Sequence, residues 1–499
     1  MARIPSKGLH FESLEERQLL AVSAVEFEIL RAGHPVLELS AGREDYNVIE
    51  LNADELTAAN LQNALTDAAG TEQNDLIVIR TTKNQNTIML SGEELEIDSA
   101  KGTLTIVSLG GEKLTINADQ KSRVFNIEDS TVFLSGMVIT GGYCGAFFNG
   151  SSGGGIWNHG TLTLDNVAVV KNHTDGFSGG GAGIYNAGTL VMNGCDVSGN
   201  RSGEASGGGI RNEGIAVITN CTIAENSSLN SGGGIDNSGK LTICDSHVIE
   251  NRGGEGGGIY SVGAVEIVRC LIRGNTAYTG GGVRGFYGSL TIRDSVISLN
   301  TATTGGGIAC EGDLLITGTT IAGNHAEYGG GICADESYDP SQNPLGHIFI
   351  DNTVLSGNDA EYGGGYYGCE EENGILPSKI TLGNILIAGN GGSEEARFSP
   401  GCDVVRMDRQ PVPVTQTLPD QLPDDRLLNI LAYDRRLLQK NHHDSTLKWD
   451  NWLPQPFTAE HQAMLRNTVS GNTDNYSTSL FSNRERNNPV WWNLWSGFA

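Results

Sequence analysis

The chain is short of basic residues: 32 Lys and Arg stand against 59 Asp and Glu, a formal charge of −27 at pH 7. Such a balance repels nucleic acid and anionic lipid headgroups, so neither DNA nor RNA is expected as a partner. The sequence also lacks any run of 18 apolar residues, so no membrane-spanning segment is expected. Its first 25 residues have no unbroken apolar core of the secretory type, although Arg3 and Lys7 give a basic start. Cysteine pairs are missing too. Cys144, Cys195, Cys221, Cys244, Cys270, Cys310, Cys333, Cys369 and Cys402 occur singly with no C-x-x-C spacing, which argues against a zinc site. No metal and no cofactor is expected.

Glycine is in excess, 69 of 499 residues, but without a Gly-X-Y register, so a collagen helix is excluded. The glycines cluster in triplets instead. The apolar residue after each triplet falls at Ile156, Ile184, Ile210, Ile235, Ile259, Val283, Ile308, Ile332 and Tyr366, a spacing of 24 to 28 until a last step of 34. That step contains DESYDPSQNPLGH, residues 335–347, whose prolines and turn formers read as an inserted loop. Within each unit the apolar positions alternate in short bursts, as in Leu241 and Ile243, then Val248, then Asn251; this is strand spacing. Bursts of three or four residues are too short for stable hairpins. Stacked unit on unit, they form three parallel sheets, each strand paired with its copies ~4.8 Å above and below. The expected fold is all-β: a right-handed parallel β-helix, three strands per coil, with about twelve coils over residues 104–403 and an axis ~55 to 60 Å long.

This reading assigns roles to residues. Asn172, Asn200, Asn226, Asn251, Asn275, Asn300, Asn324, Asn358 and Asn390 close their units at one offset and are expected to form a structural ladder of amide hydrogen bonds. Asn158, Asn186, Asn212 and Asn237 make a shorter second column. Cys195, Cys221 and Cys270 share an inward offset with Val167, Ser295 and Thr319 and read as small core fillers. Ile243 is expected to point inward, in a stack with Ile218 and Ile267, and Thr242 outward. The residue after each GGGI points outward: Trp157, Tyr185, Arg211, Asp236, Tyr260, Arg284, Ala309, Cys333 and Tyr367. Aromatics beside charges at ~4.8 Å steps suit a glycan-binding column, but a solvated β face with ordinary strand formers is the favoured reading. His247, His442, His443 and His461 have no metal-ligand spacing and read as surface residues.

Outside the repeats, Asn52 with Glu55 suggests a capping box, and Leu56, Leu61 and Leu65 an apolar stripe, for a helix of about residues 53–69 that covers the first coil. After residue 403 the triplets stop, and Trp449, Trp452, Trp491, Trp492 and Trp495 lie in a non-repeat tail. There Leu427, Leu428, Leu431 and Leu438 suit an amphipathic helix begun by Asp424 or Asp425. The chain thus divides into residues 1–24, an N-terminal cap at 25–103, repeats at 104–403 and a C-terminal segment at 404–499.

Units of the form GGGI-x-N…LTI…N resemble the polymorphic outer membrane protein repeat and the wider pectin lyase-like β-helix group, and LTINADQKSRVFNIEDSTVFLSGMVITGG, residues 114–142, resembles the entry coils of that group. FESLEERQLLAVSA, residues 11–24, resembles the LEPR-x-LL motif of planctomycete surface proteins at Phe11, Glu12, Leu14, Glu15, Arg17, Leu19 and Leu20, with Glu16 where the motif has proline. The resemblance implies an extracellular or cell-surface location, and carbohydrate or another envelope protein as partner. Oligomeric state is not readable.

Pectin lyase-like folds include polysaccharide lyases and glycoside hydrolases, whose chemistry needs ordered carboxylates on neighbouring coils. The polygalacturonase set N-T-D, D-D, G-H-G and R-I-K does not occur in order: Asn472-Thr473-Asp474 and Asp424-Asp425 are both in the tail. The favoured expectation is a non-enzymatic secreted or cell-surface solenoid that is structural, adhesin-like or glycan-binding. The alternative is a lyase or hydrolase of an acidic or plant- or algal-type polysaccharide.

Overall fold

In the computed structural model, the described residues are 23–33, 42–98, 102–145, 151–176, 179–334, 347–368, 380–394, 396–397 and 404–406. They form a parallel β-solenoid of about 11 turns. Sheet A has 14 strands, from Tyr46–Leu51 to Val404–Arg406; sheet B has 12, from Thr87–Met89 to Ile385–Ala388; sheet C has 12, from Leu95–Ile97 to Ala396–Arg397. One coil runs through Ile235–Asn237 in sheet C, Lys240–Cys244 in sheet A and His247–Ile249 in sheet B, and the register is unbroken: Ile218, Ile243 and Ile267 lie over one another. The stack reaches further toward the N-terminus than the glycine triplets indicate. Tyr46–Leu51 and Asn74–Thr81 already pair in parallel in sheet A, because strand pairing needs alternation and not the triplet.

Two corners per coil set the shape. After the sheet A strand one residue turns left-handed, among them Asn220, Asp245, Arg269 and Asp294 with φ of 49° to 54°. The next side chain then fixes the corner. Cys221 Sγ, Ser246 Oγ, Cys270 Sγ and Ser295 Oγ each donate to the carbonyl two residues back, while Cys221 Sγ accepts from the Cys195 amide, Ser246 Oγ from Cys221 and Ser295 Oγ from Cys270. The cysteines are therefore members of a hydrogen-bonded corner ladder and not merely fillers. Thiol and hydroxyl are interchangeable there because both donate and accept.

The second corner, after sheet B, carries the asparagine ladder. Each asparagine follows a left-handed residue: Lys171, Glu225, Glu250 and Leu299 at φ 54° to 56°, or glycine at Gly199, Gly274, Gly323, Gly357 and Gly389. Left-handed backbone costs a branched-at-Cβ or bulky residue roughly 1 kcal/mol, and the ladder offsets it. Asn251 shows the pattern. Its Oδ1 accepts from the Asn226 amide and Nδ2 at 3.0 Å each; its Nδ2 donates to Ile223 O at 2.9 Å and Asn275 Oδ1 at 3.0 Å. The chain of amides runs from Asn172 to Asn390 without interruption. Asn158, Asn186, Asn212 and Asn237 form the second ladder, each Nδ2 donating to the next oxygen and the last to Ser261 Oγ.

Two helices dress the N-terminal coils. Helix α1, Ala24–Gly33, lays Phe27 and Leu30 on the outer face of sheet A against Leu76, Val78 and Val107. Helix α2, Ala58–Ala69, closes the end of the core with Leu61, Ala64, Leu65 and Ala68. The expected helix of 53–69 is split. Asn52 and Glu55 do meet, the Glu55 carboxylate accepting from the Asn52 amide at 2.8 Å, but they cap a single 3-10 turn, Ala53–Glu55. The α-helix restarts at Thr57, whose Oγ1 accepts from the Asn60 amide at 3.1 Å, because Leu56 leaves the helical region at ψ 76°. Ile243 is fully buried and inward; Thr242, expected outside, is itself only 2 % exposed, within a shielded strip of sheet A.

Candidate functional site

The glycine triplet builds the outward face of sheet C. Its first glycine is left-handed, Gly232 at φ 64° and Gly256 at φ 60°, and a Cβ on Gly256 would lie 2.5 Å from the Ile259 carbonyl oxygen. That turn brings the residue before each triplet beside the residue after its Ile, five positions on. Ser231 Oγ accordingly donates to the Asp236 carboxylate at 2.6 Å, and Ser206 and Ser231 hydroxyls share a 2.8 Å hydrogen bond. Ser231, Glu255, Thr279, Thr304, Tyr328 and Tyr362 form this second file along the column.

The column itself is one register file: Trp157, Tyr185, Arg211, Asp236, Tyr260, Arg284, Ala309, Cys333 and Tyr367 pair in that order. Its surroundings differ from those of a solvated groove. At its N-terminal end the rings pile face to face: Trp157 on Tyr185 with centroids 6.4 Å apart and planes 12° apart, Trp157 on His159 at 3.9 Å, and the Arg123 guanidinium 5.5 Å above Trp157. The Tyr185 hydroxyl donates to Glu213 Oε2 at 2.7 Å, and the Arg211 Nε donates to Glu213 Oε1 at 3.0 Å. Further along, Asp236 is 7 % and Arg284 5 % exposed, while Ala309 and Cys333 are wholly buried. Arg284 pairs with Glu311 and lies 5.3 Å over the Phe286 ring. Tyr185 and Tyr260, expected to face solvent, are half-buried.

Burial governs the electrostatics. It raises the Asp236 carboxyl above the usual range, against the opposing pull of Arg211 and Ser231. It likewise raises Glu255, and lifts the Tyr260 and Tyr185 phenols well above their ordinary value, Glu213 adding to the shift of Tyr185. These groups hold their protons more tightly than in water. His247, expected on the surface, is half-buried, and burial lowers its pKa. Among the described residues no group of three His, Cys, Asp or Glu side chains is arranged to hold a metal ion. His442, His443, His461 and the tail tryptophans lie outside the described residues.

A concavity that the sequence reading missed lies beyond the column. A shallow groove of about 640 Å³ has a floor of Ala302, Ala326 and Ala360 and rims of His325, Glu327, Asp359 and Glu361. His325 Nδ1 and Asp359 Oδ2 are 3.2 Å apart and exposed. The signal was present in the segments between ladder asparagine and glycine triplet: TAYT at 276–279, TATT at 301–304, HAEY at 325–328 and DAEY at 359–362, with alanine always second. The alanines leave the hollow; the outer positions carry its polar rims.

The fold defines the class of protein, a parallel β-solenoid. No family model, no curated protein and no solved structure matches this chain.

Proposed function

We propose that the chain is a non-enzymatic β-solenoid of the cell surface or extracellular space, a rigid structural rod with an adhesin-like role. The observation that carries this reading is the engagement of the sheet C column by its own neighbours. Trp157 and Tyr185 stack on each other, Tyr185 and Arg211 share Glu213, and Ser231 donates to Asp236. Side chains placed for stacking and pairing between coils stiffen a rod, and a buried carboxyl such as Asp236 has little surface to offer a polymer chain. The resemblance of residues 11–24 to planctomycete surface proteins supports the location.

The test combines a glycan array with polyuronate lyase and hydrolase assays on the full chain. No turnover is expected, and Tyr185→Ala with Tyr260→Ala should leave any glycan signal unchanged. Turnover that disappears in Asp236→Asn or Arg211→Ala would replace this reading with a polysaccharide lyase or hydrolase. Protease shaving of intact cells checks the location; protection of the protein until lysis would refute it.

A further inference from the structure

The groove over Ala302, Ala326 and Ala360 has one rim whose charge the fold does not balance. That rim is a single file, traced from coil to coil by the backbone. Thr303 N donates to Tyr278 O and Glu327 N to Thr303 O; the strands His325–Tyr328 and Asp359–Tyr362 then pair in register, which sets Glu361 beside Glu327. Two exposed carboxylates thus stand one ladder step, ~4.8 Å, apart. Like charges directly opposite on paired strands destabilise a sheet. Among the described residues neither Glu327 nor Glu361 pairs with a Lys or Arg, whereas on the facing rim Asp359 has His325 at 3.2 Å. Tyrosine rings border the same carboxylates: Tyr328 and Tyr362 stack with centroids 5.2 Å and planes 12° apart, and Glu327 raises the pKa of the Tyr328 phenol. Toward the N-terminus the file turns apolar. Tyr278 is 51 % exposed; its amide donates to Gly254 O, and beside Asn230 in the next coil Leu229 is 66 % exposed. From Leu229 to Glu361 the strip spans five ladder steps, ~24 Å.

We propose that this strip docks an extended, arginine-bearing segment of a partner protein, laid along the solenoid axis with its arginines on Glu327 and Glu361 and an apolar side chain on Tyr278. Charge complementarity selects this occupant: the acidic rim of a chain with net charge −27 repels nucleic acid and acidic polysaccharide and attracts cations. Arginine fits better than lysine, because a guanidinium forks onto a carboxylate and stacks on a tyrosine ring, and both lie side by side here. The spacing agrees. An extended segment advances ~3.4 Å per residue, so residues three apart are ~10 Å from each other, against the two ladder steps, ~9.6 Å, from Tyr278 to Glu327. The strip gives the adhesin-like reading its contact surface and rests on that reading for the setting in which the partner is met.

Fluorescence anisotropy on the purified full chain tests this with a labelled hexapeptide carrying leucine at its first position and arginine at its fourth and sixth. Glu327→Gln with Glu361→Gln should weaken binding at least about tenfold while the β circular dichroism stays unchanged, and Tyr278→Ala should weaken it about threefold. The same peptide with lysine for arginine should bind at least about threefold more weakly. Glu93→Gln with Glu96→Gln removes equal charge at the N-terminal end of sheet C and should change affinity by less than about twofold at physiological salt. Equal weakening by the two double variants would reduce the effect to general attraction and overturn the proposal. So would the absence of binding to the full chain, as when another segment of the chain already lies there, or binding that is lost as the chain self-associates, which would assign the strip to a second copy. Protease shaving of cells bears on the location alone, so the two readings fail separately.

Discussion

Replacing Asn251 by alanine removes one rung from the middle of the longer asparagine ladder. Four hydrogen bonds go: two accepted by Oδ1 from the Asn226 amide and Nδ2, and two donated by Nδ2 to Ile223 O and Asn275 Oδ1. Asn251 is 1 % exposed, so water does not replace them. At about 1 kcal/mol for each bond, with more for donors left orphaned in a dry corner, the loss should be about 4 to 6 kcal/mol. Glu250 also loses the rung that holds its left-handed backbone at φ 55°. Because a solenoid's stability is a sum over coils and their interfaces, the damage should be local. Guanidinium unfolding followed by circular dichroism measures the total, with exposed Lys240→Ala as a control within about 0.5 kcal/mol of wild type. Hydrogen exchange should show protection falling first over residues 223–275. A loss below about 1 kcal/mol, or protection falling evenly along the rod, would refute the view that these amides secure the corner.

Three further outcomes follow from the geometry. Gly256→Ala should destabilise by about 2 to 4 kcal/mol, because its φ of 60° suits glycine and its Cβ would lie 2.5 Å from the Ile259 oxygen; Gly274→Ala, also left-handed but meeting first the flexible Glu250 side chain at 3.4 Å, should lose only about 1 kcal/mol in the same unfolding assay. Ile243→Asp should lower the melting temperature most and Thr242→Asp should follow it closely, since both sites are buried, whereas exposed Ala264→Asp should leave it nearly unchanged. Asp236→Asn should raise stability at neutral pH: the folded carboxyl titrates above its unfolded value, so its charge disfavours the fold once pH passes the ordinary carboxylate range. The gain should vanish as pH falls below that range, where both states are protonated; a loss of stability at pH 7 in denaturant titrations would show that Asp236 is needed as an anion.

The period, the three-sheet coil and the inward Ile218–Ile243–Ile267 stack were legible in the sequence because strand alternation and a 24- to 25-residue repeat leave one way to bury every coil's apolar face. The asparagine offset was legible for the same reason: identical amides one coil apart satisfy one another, and no distant residue is needed. The glycine triplet was legible as a turn, but its consequence was not. That Ser231 comes to Asp236, and Glu255 beside Tyr260, depends on the left-handed first glycine folding the chain across sheet C.

Exposure was the quantity the sequence could not supply. Alternation says which way Thr242, Asp236 or Arg284 points relative to its own strand, and says nothing of what else lies there. Asp236 faces away from the core, yet a serine five residues earlier and the Arg211 of the preceding coil enclose it; Thr242 faces outward into a strip shielded from water. Local periodicity therefore determined the fold, the coil register and the ladders, since each rests on contacts repeated between adjacent coils. Which outward residues meet solvent was decided by tertiary structure alone, because burial depends on the particular side chains that neighbouring coils set beside each position, which the repeat spacing does not specify.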